Sequence, residues 1–220
     1  MYAANLPGAY ARGANLDVAL RKMQKEAECY LKWTGTKGEK LESVCILQDA
    51  LCRLNIADAD SDVLFDTEKA PLTYQEYAYL KSLALKSAAD FLSMYESVPD
   101  PDASSNPIRG TFYGQVPRTA REMYLHTKNV NAYYFGEIDV ESDNEGSILD
   151  CRIRGFEALE QKTDFLANLT VEGSYGESWN VRKMLRRFLW HDRIHAKAMY
   201  RMALREFDAE IQNPFCFEEN

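Results

Sequence analysis

The sequence predicts an α+β fold: a small mixed α and β unit over residues 1–70, then a four-helix bundle over residues 71–220. Three observations carry this. Short apolar runs broken by Pro7-Gly8 and Gly13 open the chain, a chemistry that suits a tight hairpin-like turn between two strands. The run "SVCILQ" is β-branched and apolar and reads as a strand. After Pro71 the texture changes to four long segments with apolar residues at helical spacing, separated by loops.

Taken in order, the first helix is expected over 16–33. Asn15 is its N-cap, and Leu16, Leu20, Met23, Ala27 and Leu31 share one face. "GTKGEK" is a loop, and "IADADSDVLFD" an acidic turn. Asp58, Asp60 and Asp62 have the odd-position spacing of a calcium loop. Val63 stands where that loop needs glycine and Lys69 where it needs a bidentate glutamate, so a solvated acidic turn is the reading. Thr73 caps the second helix, 73–97, with Tyr77, Leu80, Ala84, Phe91 and Tyr95 inward. "PDPDASSNPIRGTFYGQ" is a long connection of the functional or crossover kind. The third helix starts near Pro117, a good first-turn residue, and ends at 135. The fourth spans 147–165, and the fifth begins after 178 and passes 203. Four such amphipathic helices suggest a bundle.

Composition narrows the function. The chain has 220 residues, 46% hydrophobic and 27% charged, enough for a sizeable core. A net charge of −8 argues against nucleic acid as partner, because phosphate backbones are bound by clustered Lys and Arg. "RKMLRR" (182–187) reads as the solvated face of a helix. No run of 18 apolar residues spans a membrane, and the first residues lack a secretory signal, so a cytoplasmic location is expected. Cys29, Cys45, Cys52, Cys151 and Cys216 are odd in number and contain no C-x-x-C pair, so they read as buried small residues rather than disulfides or thiolate zinc ligands. "NLT" at Asn168 matches a glycosylation sequon that means nothing without secretion.

Two of the three histidines lie in "FLWHDRIHAK". Val181, Met184, Phe188, His191, His195, Met199 and Met202 form one stripe on the last helix. Met123, His126, Val130 and Tyr133 form another on the third helix, so every histidine takes an inward position. A lone core histidine is usually a hydrogen-bonding structural residue. Three in apolar stripes could not easily partner one another's nitrogens, whereas a divalent ion takes one nitrogen from each. His191 and His195, four apart, reach one ion from one helical face. His126 supplies the third ligand, and three protein ligands leave positions open for water or substrate. Imidazole ligands suit zinc, nickel, iron and copper alike. "HDRIH" also invites a zincin reading, but Asp192 replaces the glutamate base and points away from the stripe. Asp192 reads instead as a surface acid or a partner behind the ligands.

At "EMYLHTKNVNAYYFGEI" and "FLWHDRIHAKAMYRM" the chain resembles the DinB-like (DinB/YfiT) superfamily of metalloproteins, over about residues 72–208. The resemblance implies a four-helix bundle with a histidine triad, here His126, His191 and His195. Its characterised members include thiol S-transferases and an isomerase, which implies here a thiol S-transferase or hydrolase in which a divalent ion, zinc or nickel, activates a thiol or water, with a low-molecular-weight thiol as cosubstrate. Tyr133 and Phe188 would line the pocket, against a bland reading of both as core aromatics. "NLPGAYARGANLDVALRKMQKEAECYLKW" resembles the start of HicB-type antitoxin domains, implying an accessory or dimerising unit. The expected partners are therefore a small-molecule substrate and, as such bundles often pair, a second copy in a homodimer. The alternative is a non-catalytic stress-response or toxin–antitoxin-like binding protein whose triad is structural.

Overall fold

The computed structural model describes residues 1–36, 44–51, 63–111 and 114–218. The fold is mixed and mostly helical, with five α-helices and two small antiparallel sheets among the described residues. The helices are α1 (Leu16–Thr34), α2 (Tyr74–Glu96), α3 (Ala120–Gly136), α4 (Ile148–Glu160) and α5 (Val181–Glu206). β1 (Gly110–Thr111) pairs with β2 (Gly114–Gln115), and β3 (Val171–Glu172) with β4 (Ser178–Trp179). Asp58, Asp60 and Asp62 of the rejected calcium loop lie outside the described residues.

Each helix starts where a side chain satisfies its first free N–H groups. Asn15 accepts from Val18 N, and Asn180 from Lys183 N. Thr73, Thr119 and Ser147 form reciprocal capping boxes with Glu76, Glu122 and Asp150. Pro117 therefore lies ahead of α3 rather than in its first turn. α4 ends at Glu160, five residues before the expected boundary, and the chain turns into a short 3-10 segment at Phe165–Ala167.

The N-terminal segment folds back as expected, but its two arms share only a single bridge, Tyr2 to Tyr10. Gly8, at φ 91°, brings the turn against α5, where a Cβ would stand 2.5 Å from Leu189 Cβ. The "SVCILQ" strand is not formed over the described residues 44–48. Val44, Ile46 and Leu47 are exposed, so the run finds no buried sheet face to join. A strand's preference is mostly a preference for such a half-buried surface.

α2 and α3 each lie against both α4 and α5, so each of α4 and α5 sits between the other two. One apolar cluster joins Met23, Ala27 and Tyr30 of α1 to Phe91 of α2, Leu189 and Met199 of α5, and Phe215 and Phe217 of the C-terminal segment. A second joins Tyr77, Phe135, Phe156, Trp179 and Phe188. Among the described residues no helix is long and apolar enough to cross a membrane.

α5 departs most from expectation. Lys183, Arg186 and Arg187 of "RKMLRR" are buried, not solvated. α5 also meets the N-terminal turn, α1, the 3-10 turn at Asp66–Glu68 and the C-terminal segment. Each cation finds compensation nearby. Arg186 binds both carboxylate oxygens of Glu68 and lies 3.9 Å over Phe65. Lys183 meets Glu177 at 3.2 Å and lies over Trp179. Arg187 stacks near Trp190, Tyr134 and Trp179. Of the cysteines, Cys29 and Cys151 are buried, Cys216 is half-buried and Cys45 is exposed; all four are free thiols. Cys52 lies outside the described residues. Asn168 is buried and clamps the chain: its amide donates to Glu68 O and Ala70 O, both at 2.7 Å.

α3 and α4 approach through Gly155, where a Cβ would stand 2.1 Å from Phe135 Cε2. Gly155→Ala gains about 1 kcal/mol of helix propensity. It must, however, displace a fully buried ring, at a cost of about 1–3 kcal/mol or more. The expected result is a net loss of stability in urea unfolding. A variant at least as stable as wild type would show that Phe135 has room to move.

Candidate metal centre

His126 projects from α3, and His191 and His195 from α5. One ring nitrogen from each lies within 4.8 Å of the other two. The ring centroids form a triangle of 4.9 Å (126–191), 4.7 Å (126–195) and 4.5 Å (191–195). Nε2 of His126 and Nε2 of His191 stand 3.2 Å apart.

That separation has two physical meanings. It is the length of an N–H···N hydrogen bond. It is also the edge of a coordination shell: with Zn–N bonds of about 2.0–2.1 Å, two ligands of a tetrahedral ion lie roughly 3.3 Å apart. A hydrogen bond would occupy two rings and leave His195, packed against both, without a function. A cation uses all three. The donor set, three imidazoles with no carboxylate in the group, suits a borderline transition ion such as zinc or nickel and does not suit calcium or magnesium.

The surroundings favour the neutral form of His191 and His195, the form that ligates. Burial lowers the pKa of His191 well below the ordinary imidazole value, and His195, His126, Arg187 and Arg152 add to the effect. Burial and then His126 lower that of His195 to about 3. Nδ1 of His191 is buried and, among the described residues, without a partner, so none of them orients this ring from behind.

The expected inward stripe on α3 is rotated. The buried face is Met123, Tyr124, Thr127, Asn131, Tyr134 and Phe135. His126 and Tyr133 are exposed and Val130 is half-buried, so these residues run along the flank. His191 is buried and His195 half-buried. The cluster is therefore closed on the α5 side and meets solvent on the His126 side. A ligand can enter there without unfolding the core.

Asp192 is not a surface residue. It is fully buried and holds both terminal nitrogens of Arg152, at 3.2 and 3.3 Å. Phe188 is fully buried among Tyr134, Phe135, Phe156 and Arg152. Tyr133 packs edge-on against Trp179, and burial, then Glu137 and Glu177, raise its phenol pKa. The aromatics beside His191 are Trp190, at 5.7 Å, and Tyr134, at 6.0 Å. Sequence reasoning did not single out these two, nor Arg187 and Arg152. Trp190 and Arg187 carried a signal, standing one and four residues before His191.

No family model, curated protein or solved structure matches the chain. The case for a site therefore rests on the geometry of these three rings.

Proposed function

We propose that this chain is a metal-dependent enzyme of the thiol S-transferase or hydrolase type, built as a four-helix bundle of the DinB kind with a HicB-like N-terminal unit. His126, His191 and His195 hold one divalent transition ion, zinc or nickel. The observation that supports this is the convergence of all three histidines of the chain on one point from two helices. When bound, such an ion supplies Lewis acidity that lowers the pKa of a thiol or water.

The protein's own part is positional. α5 presents His191 and His195 from successive turns of one buried face, while α3 contributes His126 from its solvent-facing flank. Three neutral ligands leave the ion's charge uncompensated, which favours an anionic fourth ligand such as a thiolate. Trp190 and Tyr134 limit water on the His191 side, and the open side at His126 admits a small substrate. A cytoplasmic setting supplies low-molecular-weight thiols in reduced form.

The test is metal analysis of the purified protein after zinc or nickel loading and desalting, followed by turnover with glutathione and an electrophilic bimane. One equivalent of metal per chain and metal-dependent thiol consumption are expected. No retained metal under any loading condition sinks the reading. Metal that raises stability while no thiol or ester turns over assigns the triad a structural role in a non-catalytic binding protein.

A further inference from the structure

Asp192 occupies the place in "HDRIH" where a zinc protease would carry its base, yet it faces away from the histidines. We propose that Asp192, through its buried ion pair with Arg152, is the positioning residue of the metal centre. The pair sets the rotation of α5 and, through Asn131, the placement of α3, so that rings carried by two helices converge. The inference rests on the metal-centre reading above.

Arg152, Asp192 and Asn131 are all fully buried. Arg152 of α4 grips both oxygens of Asp192 on α5. Its Nε donates to Asn131 Oδ1 on α3 at 3.3 Å. Its guanidinium centre lies 3.7 Å from the centre of the Phe188 ring, one turn before Asp192. Asn131 Nδ2 donates to Cys151 O of α4 at 3.0 Å, and to Asp143 O and Ser142 Oγ of the preceding loop. One connected network thus fastens both ligand-bearing helices to α4.

The network constrains angle more than it adds stability. A two-pronged guanidinium–carboxylate contact tolerates little rotation. Turning α5 by one residue, about 100°, would place His191 against Arg152 and carry the carboxylate off its partner. Buried ion pairs often contribute no more stability than apolar residues of similar volume, while a half-broken pair is costly. An apolar core would hold α5 but would leave its rotation less restricted. Nδ1 of His191 has no acceptor among the described residues, so the only polar contact this ring makes there is to another ring of the triad. Its direction comes from the helix, and the helix's direction comes from Asp192.

The experiment compares wild type with Asp192→Asn, Arg152→Met and the double variant Arg152→Met/Asp192→Leu. Folding is followed by circular dichroism and urea unfolding, zinc affinity by competition with a chromophoric chelator, and ligand geometry by the visible absorption of the cobalt(II)-loaded protein. The double variant is expected to fold with near wild-type stability. Its zinc affinity should fall by about 10- to 100-fold, the range for residues that orient metal ligands, with an altered cobalt spectrum. A folded double variant with wild-type affinity and spectrum overturns the inference and leaves the metal centre intact. A double variant that does not fold also overturns it, because the pair then serves the fold rather than the site. A wild type that binds no zinc removes both readings together.

Discussion

Replacing His191 by alanine is expected to lower zinc affinity by about 10²- to 10³-fold. This follows if the roughly 10–16 kcal/mol of a four-ligand zinc site is shared about equally among its ligands. His191 is the buried vertex of the triangle and touches both other rings. Its loss leaves two ligands on separate helices and a void in the core. The void alone would cost stability, so His191→Ala cannot by itself separate ligation from folding. His126→Ala does: the residue is exposed, and a surface substitution changes stability by about 0.5 kcal/mol or less. It should nevertheless cost a similar factor in affinity. The linked readout is thermal. Metal at about 100 times its Kd adds about 2.7 kcal/mol to the folded state, which raises Tm by about 5–10 °C for a chain of this size. Either alanine variant should lose most of that rise at the same metal concentration. His126→Ala with an unchanged Kd and an unchanged rise would show that the three rings do not share an ion.

Helix positions and starts were legible in the sequence because they depend on local chemistry. Asn15, Thr73 and Ser147 act on N–H groups three residues away, and the stripe Tyr77–Leu80–Ala84–Phe91 lies on a single helix. Reading the faces of α3 and α5 went less well, for different reasons. On α3, Met123 belongs equally to a stripe through His126 and Tyr133 and to one through Thr127 and Tyr134. Apolar spacing does not separate them, because the buried choice contains Thr127 and Asn131. On α5, charge suggested exposure, yet Arg186, Arg187, Arg193 and Asp192 are all buried. Their charged partners Glu68, Glu26 and Arg152 come from distant parts of the chain, so nothing near "RKMLRR" or "HDRIH" announced them. The three histidines were legible as a pair plus one. That His191 is buried, His195 half-buried and His126 exposed follows only from how distant parts of the chain pack around α5.

Glu26→Ala is expected to destabilise the protein by about 3–5 kcal/mol, the cost of leaving a buried ion without its partner. Folded domains hold only about 5–15 kcal/mol in total, so this is a large share of the whole. Glu26 of α1 is 4% exposed. Its Oε1 accepts from Arg193 Nε and NH2, at 3.1 and 2.6 Å, and its Oε2 accepts from Lys197 Nζ at 2.9 Å. Around Arg193 stand Tyr30 and Trp33 of α1, each 5.0 Å away, and Phe215 and Phe217 of the C-terminal segment, at 5.7 and 5.4 Å. These rings offer a cation about 0.5–2 kcal/mol apiece, but they cannot replace a carboxylate, and Arg193 NH1 already lacks a partner. Without Glu26 the guanidinium must draw water into the box or pull away from it, and either move loosens α1 and the C-terminal segment together. Glu26→Gln keeps an acceptor without the charge and should cost less. Glu26→Leu/Arg193→Met removes both ions and should recover most of the loss, since the aromatic box then packs as an ordinary apolar core. Urea unfolding of the four proteins decides. Glu26→Ala within about 1 kcal/mol of wild type, or a double variant no better than the single, would show that this pair does not hold α1 to α5.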